Sequence, residues 1–459
     1  MEEVVASVAL LRRRSRRRFQ TRREDHHQHS IIDVQDYTSV NVAVQTVSRL
    51  ISGRLPVETI KAEEAYGRLL SANIISPVNV PDKQRSHMDG FAVVARDLEG
   101  ASSRSPRILD FVGDTDLVTS RTRRISSGEV AGISTGGKLP LGADAVVPVE
   151  HAKRVVERIH FFQEIEKGAF TFPIGNDVKK GSIVIRAGDR IRAQDAGMLA
   201  LLGIRNVRAF ARPRVAIIAT GDELVDAFKA NDPSKVRDSH SPIFANLIRE
   251  VGGVVNSQVI VGDKIGPMTV AIRRALRSSD IVLTLGGTSL GEGDLVEQVL
   301  LNISKRSRII HGVRMDRGRV AGIAAVQRKP VVMLPGPVQG AMNAFFLLAL
   351  PLILKMSSGK DSVDVVSARL SKDWKARKRF EDFTKVLYVQ LGRSGETLSA
   401  RPVVGETESM GVLTKSNGFV VVPERVRELR AGHRVSVRLL PGFSYAGGGF
   451  HAGVSARIF

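Results

Sequence analysis

Between Arg214 and Leu354 the chain alternates short apolar, β-branched runs with amphipathic segments, and few folds accommodate that alternation. Val215–Ala219, Val254–Val261, Ile281–Leu285 and Val331–Leu334 read as strands; Pro242–Val251, Met268–Leu276 and Ala341–Leu354 read as helices. The pattern predicts a three-layer α/β domain around a mainly parallel sheet. Ligands of such sheets bind where strands end and loops begin. Three strand-ending loops carry suitable groups: Thr220–Glu223, Gly262-Asp263 and Gly286–Asp294. Glycines there let backbone N–H groups approach an anion, and nearby carboxylates hold a hard cation beside it. Singly each acid reads as a helix cap or surface residue; three together point to a cation or phosphate site. A nucleotide-binding Walker loop is excluded, because Gly293 is followed by Asp294 and Leu295. The G-x-G-x-x-G dinucleotide spacing is not met by Gly286, Gly287 and Gly291 either.

The flanking chain differs in texture. The apolar spacing from Val40 to Leu70 predicts helix, Ile74–Pro81 an extended connector, and Phe91–Phe172 short strands broken by Gly, Ser and Pro. Asp177–Arg212 reads as turns with one helix over Gln194–Leu202, and Ser367–Leu440 as a small barrel or sandwich. A length of 459 residues suits about three or four domains. The absence of cysteine excludes disulfides, thiolate metal sites and a cysteine nucleophile, and is compatible with a cytoplasmic location. No apolar run reaches the ~20 residues of a membrane span. The net charge of +21 raises nucleic acid as a partner, but one Trp and four Tyr offer few stacking platforms and the basic residues are scattered. Nucleic acid is therefore not expected. The eight arginines within Leu10–Arg23 are read as part of a disordered basic tail over residues 1–30.

Several loops outside the α/β segment form an ordered set with those inside it. Ser86–Ala92 reads S-H-M-D-G-F-A, Thr135–Val147 reads T-G-G-K-L-P-L-G-A-D-A-V-V, and Gly175–Asp177 is a G-N-D turn. Thr220–Leu224 reads T-G-D-E-L, followed by Asp238-Ser239, the G-G-T-S-L-G-E-G-D of Gly286–Asp294, Leu334-Pro335-Gly336 and the N-G…P of Asn417–Pro423. In this order and spacing the chain resembles the molybdopterin molybdenumtransferases, the MoeA family that includes the C-terminal part of gephyrin. The likeness runs from about Val40 to Leu440.

The resemblance implies a multidomain α/β architecture in four parts: an elongated helical part (31–80 with 170–212), a β-rich insertion (81–169), an α/β molybdopterin-binding domain (213–360) and a C-terminal β-barrel (361–459). It implies a homodimer whose site lies between the α/β domain of one subunit and the insertion of the other. The implied reaction is Mg²⁺-dependent insertion of molybdate or tungstate into adenylylated molybdopterin with release of AMP. Upstream adenylyltransferases and recipient molybdoenzymes are implied partners. By position, Asp89, Thr135, Asp177, Glu223, Asp263 and Asp294 match the catalytic set, with Glu223, Asp263 and Asp294 as metal ligands. The implied pterin-binding set is Thr220, Gly221, Asp238, Ser239, Gly286, Gly287, Ser289, Gly291, Arg319, Pro335, Gly336 and Lys385.

The chain departs from the family pattern on the cationic side. The family's K-P-G-K-P appears as Asp316-Arg317-Gly318-Arg319-Val320, and its L-P-G-N-P-V-S as Leu334-Pro335-Gly336-Pro337-Val338-Gln339. Lys385 stands where arginine is usual, and Thr407-Glu408 where Ser-Gly is usual. These changes predict a shifted anion-binding group, or a paralogue that binds pterin or acts as a scaffold without turnover. They also predict that Asp316→Lys strengthens anion binding.

Overall fold

The computed structural model describes residues 37–115, 124–228, 232–288, 295–357, 364–394, 397–441, 443–446 and 449–452. The tail over 1–30 and the predicted site residues Ser289, Gly291 and Asp294 lie outside the described residues.

The α/β segment forms a six-stranded sheet of β1 (Arg214–Thr220), β2 (Val254–Val261), β3 (Ile281–Leu285), β4 (Arg308–His311), β5 (Gly322–Val326) and β6 (Lys329–Leu334), in the order β2-β1-β3-β6-β5-β4. β2, β1, β3 and β6 run parallel; β5 pairs antiparallel with β6, and β4 antiparallel with β5. Every residue of β3 and β5 is buried, as expected of strands covered on both faces. Helices His240–Glu250 and Val338–Ser357 cover one face, and Ile265–Ser278 and Leu295–Ile303 the other. β4 and β5 escaped the sequence reading because Arg308, His311 and Gly322 interrupt their short apolar runs.

The predicted helix over Val40–Leu70 stops at Leu50. Gly53 and Pro56 follow, and Val57–Lys61 becomes a strand paired antiparallel with Asn206–Phe210. What remains of the helix is anchored by Ser39, whose Oγ accepts from Val42 N, and it buries Val40, Ala43 and Val47 in the main α/β core. The segment Val338–Ser357 is long and apolar enough to cross a membrane, but 89% of its most apolar stretch is buried within the fold. It is a core helix, relaxed by a π-turn at Phe345–Ala349.

The β-rich insertion contains a six-stranded sheet in which Gly90–Val93 lies between the edge strand Ala145–Pro148 and Glu129–Ile133, over a core of Phe91, Leu98, Leu109, Ile159 and Phe161. Gly90 is sterically required: a Cβ there would lie 2.1 Å from the Val147 carbonyl oxygen of the neighbouring strand. Gly90→Ala is expected to destabilise this sheet by about 3 kcal/mol, read as a lowered Tm. An unchanged melting profile would contradict that reading of the strand pairing.

Val365–Leu370, Lys385–Ser394, Thr397–Pro402, Gly418–Val422 and Arg434–Leu439 close into a five-stranded barrel. Asn417 explains its own motif, because its side chain accepts from Leu391 N at 2.7 Å and donates to Leu391 O at 3.2 Å. The barrel shares the core of the α/β domain. Tyr388, Val412 and Phe419 join that cluster, and Phe419 stacks on Phe346 at 4.7 Å, a contact of about 1 kcal/mol beyond burial. The expected fold class, an α/β multidomain chain ending in a β-barrel, is the observed one.

Candidate functional site

The four parallel strands end at one edge of the sheet, and the chain changes direction beside β1. From β1 it moves outward to β2 and returns on the other side to β3 and β6. The resulting crevice between β1 and β3 is where open α/β sheets receive ligands. Gly286 and Gly287, just after β3, hold φ of +85° and +66°, a conformation costly for any residue with a side chain. Gly286 N donates to Leu334 O at 3.0 Å, tying the β3 loop to the end of β6. A Cβ on Gly287 would come within 2.9 Å of Thr220 Oγ1, so the glycine backbone lies directly on the end of β1. Thr220 Oγ1 in turn donates to Leu285 O at 3.2 Å.

The acids gather at the β1–β2 corner. Gly221 N donates to Val261 O at 3.1 Å, which brings the two loops together. The Glu223 carboxylate folds back over Gly221, where a Cβ would meet Oε1 at 2.5 Å. Asp222 Oδ1 accepts from Asp263 N at 3.2 Å. Burial, then repulsion from Glu223 and Asp222, raises the Asp263 pKa. Asp222 was missed by the sequence reading, though it sits inside the T-G-D-E stretch. Among the described residues no group of three or more His, Cys, Asp or Glu forms a metal centre. The donor set that Glu223 and Asp263 present is all carboxylate oxygen, which fits a hard cation that keeps several of its waters.

Asp238, Ser239, Pro335 and Gly336 border this edge. Asp238 Oδ1 accepts from His240 N and Ser241 N at 3.1 and 3.0 Å, capping the His240–Glu250 helix. Its place in the motif thus has a folding reason. His240, also missed, lies against the Gly336 backbone, and burial lowers its pKa. A cleft of about 530 Å³ opens beside the acids, between β2 and that helix, lined by Asp226, Phe228, Asp238 and Arg249 among others.

Asp89, Thr135 and Asp177 sit apart from this edge, on the insertion and its connector. Ser86 Oγ donates to Met88 O at 2.6 Å and accepts from Met88 N at 3.2 Å, a tight turn that presents Asp89 outward. Thr135 N and Oγ1 both donate to Asp89 Oδ1, at 2.7 and 3.1 Å. Asp177 is exposed on a separate turn, its N–H donating to Val80 O at 3.0 Å.

The altered cationic loops meet at the seam between the α/β domain and the barrel, and they bond to one another. Asp316 is buried and ion-paired with Arg377, while Asp316 N donates to Thr384 O at 2.8 Å. Arg317 donates to Gln339 Oε1; the Gln339 side chain reaches Glu406 O, and its backbone N donates to Thr407 O at 3.1 Å. The expectation for Asp316→Lys is therefore corrected: Asp316 serves as the partner of Arg377, and a lysine there would face a guanidinium. Arg319 lies over the Phe380 ring at 5.7 Å. Lys385, predicted as a pterin contact, is 1% exposed and donates to Glu381 O, Glu424 O and Val426 O at 2.8, 3.2 and 2.7 Å. An ammonium has three protons, so Lys385 braces the barrel and has no donor left for a ligand.

Known proteins match this chain in three consecutive regions. Residues 38–203 match the family model of the MoeA N-terminal region (domains I and II), 216–355 that described as a probable molybdopterin binding domain, and 367–440 that of the MoeA C-terminal region (domain IV). The chain is 26% identical over 425 residues to the molybdopterin molybdenumtransferase of Staphylococcus epidermidis, covering 90% of this chain and 99% of that one. It is 26% identical over 405 residues to molybdopterin molybdenumtransferase 2 of Mycobacterium tuberculosis, covering 87% and 98%. A crystal structure of a molybdopterin biosynthesis MoeA protein from Pyrococcus horikoshii superposes with a TM-score of 0.77 at 28% identity, over 88% of this chain and 99% of that one. Fold and strand-edge crevice define a multidomain α/β protein of the molybdopterin-binding class. The chain belongs to the MoeA/molybdopterin molybdenumtransferase family. That membership gives it a role in molybdenum cofactor biosynthesis.

Proposed function

We propose that the chain inserts molybdate, or tungstate, into adenylylated molybdopterin and releases AMP, acting as a homodimer with Mg²⁺. The observation that carries this reading is the convergence of Thr220–Glu223, Gly262-Asp263, Gly286-Gly287 and Pro335-Gly336 on one sheet edge. Glycine N–H groups at the β1–β3 crevice receive the phosphoanhydride of the substrate. Glu223 and Asp263, with Asp294, would hold Mg²⁺, which offsets the charge that develops as the phosphoanhydride opens. Molybdenum gives up two oxygens as it binds the two dithiolene sulfurs: one ends on the AMP phosphate as the phosphoanhydride P–O bond breaks, and the other leaves as water with the thiol protons. Asp89, held by Thr135, and Asp177 complete the site from the partner subunit. Their separation from the acid corner within one chain is what a composite site requires. AMP release that needs both Mg²⁺ and molybdate or tungstate tests the proposal; no release by a well-folded dimer would reject it.

A second reading draws on the seam. Asp316 and Arg377 neutralise each other, Arg317 is engaged by Gln339, and Lys385 is fully bonded. A chain whose cationic side is turned inward suits a pterin-binding or scaffold protein without turnover. Micromolar binding of adenylylated molybdopterin with no AMP release would favour it.

A further inference from the structure

The opposite edge of the α/β sheet, where β1 and β2 begin, carries a second concentration of charge. Gly67–Leu69, Arg190, Phe210–Pro213, Gly252 and Ser357 enclose a narrow cleft there. It lies where the connector strands, the α/β sheet and the end of the Val338–Ser357 helix meet. Pro213 O accepts from Val254 N at 2.8 Å, which fixes its floor to the start of β2.

Three arginines line this cleft. Arg68 is nine-tenths buried: its Nη2 serves Glu58 and donates to Phe210 O at 2.8 Å, but its Nε is buried with no partner among the described residues. An unpaired buried guanidinium N–H is costly, because the group gives up water and receives nothing in exchange. Arg190 Nη1 donates to Gly67 O at 2.9 Å and lies so close to Gly252 that a Cβ there would meet it at 2.6 Å. Arg212 stands exposed at the mouth, with no hydrogen bond or ion pair among the described residues. Burial, then repulsion from Arg68, lowers its pKa. Glu58 pairs with Arg68 and also acts on Arg212, and the repulsion between these two guanidiniums persists beside it.

We propose that this cleft binds a small tetrahedral oxyanion of the phosphate or sulfate class, bridging Arg68 and Arg212. The enclosed part measures about 10 Å³, near the least that holds one water. One oxygen of the anion therefore enters toward the Arg68 Nε–H, and the others remain at the mouth beside Arg212. Bound there, the anion offsets the repulsion between the two arginines and pins the connector strands to the start of the sheet. The site is separated from the strand-end crevice by the length of β1, and its ligand is independent of the reaction proposed above.

The test is titration of inorganic phosphate, and separately sulfate, into the full-length protein without Mg²⁺, with ionic strength held constant by chloride. Saturable binding is expected, weakened about tenfold by Arg212→Ala, the loss of one charge-assisted contact. Lys153→Ala, on an exposed strand of the β-rich insertion, is expected to leave it unchanged. Arg212 is exposed, so its variant should keep the parent's circular dichroism and melting temperature without anion; Arg212→Lys, which keeps the charge, should restore part of the affinity. Equal binding by parent and Arg212→Ala, loss through Lys153→Ala, or no saturable binding at millimolar anion would each overturn the proposal. Preference between the two anions identifies which source the cleft favours.

Discussion

Asp316→Lys is expected to destabilise the protein by about 2–3 kcal/mol and to leave anion binding at the strand-end crevice no stronger. The variant removes the buried partner of Arg377 and places a second cation against it. Losing one member of a buried pair costs several kcal/mol; the half-exposed Arg377 side chain moderates this through solvent. The damage should be local, since Asp316 N–Thr384 O and Thr384 N–Arg314 O join the same two domains within a few residues. Thermal melting and limited proteolysis between the α/β domain and the barrel read the effect. Combining Asp316→Lys with Arg377→Glu restores opposite charges and should recover most of the lost stability. An unchanged Tm for the single variant, or tighter pterin binding, would mean that the pair does not hold the seam.

Glu223→Gln is expected to lower AMP release by a factor on the order of a hundred or more while leaving the fold intact. The amide keeps the size of the side chain that folds over Gly221, so packing at the corner changes little. It removes a negative charge from a cluster in which Glu223 and Asp222 already push up the Asp263 pKa. Two consequences have opposite signs. Mg²⁺ should bind more weakly, because an anionic oxygen donor is gone. Asp263 should ionise more readily, because one repelling neighbour is gone. Activity that falls and cannot be rescued by excess Mg²⁺ indicates a direct part in the chemistry; full rescue confines Glu223 to holding the ion.

Much of this arrangement was legible in the sequence because its causes are local. β1, β2, β3 and β6 announce themselves as apolar runs followed by glycine or a polar turn, and these are the strands whose ends form the candidate site. β4 and β5 carry arginine, histidine and glycine within short runs, and their strand character comes only from pairing beside β6. The helical spacing of Val40–Leu70 was misleading beyond Leu50 because Val57–Lys61 finds its partner about 150 residues later, at Asn206–Phe210. Such pairings leave no mark in a local window.

The seam was the least legible. Asp316, Gln339 and Thr407 look like separate departures from a family pattern. They are explained together once Arg377, Arg317 and the Glu406 carbonyl are seen beside them. The same holds for Lys385, whose three carbonyl partners come from two turns that fold over it. Charge in the sequence indicated that something anionic is handled here; only the packing shows how much of that charge the protein satisfies for itself.

The most direct test of the composite active site is AMP release by mixed dimers of Asp89→Asn and Glu223→Gln, unfolded and reassembled together in equal amounts. Each variant alone should be nearly inactive with adenylylated molybdopterin, Mg²⁺ and molybdate. If the insertion of one subunit completes the α/β edge of the other, each mixed dimer contains one site with both carboxylates intact. Random pairing then recovers about a quarter of the parent activity. No recovery, with mixed dimers demonstrated and the parent active, would contradict the composite site.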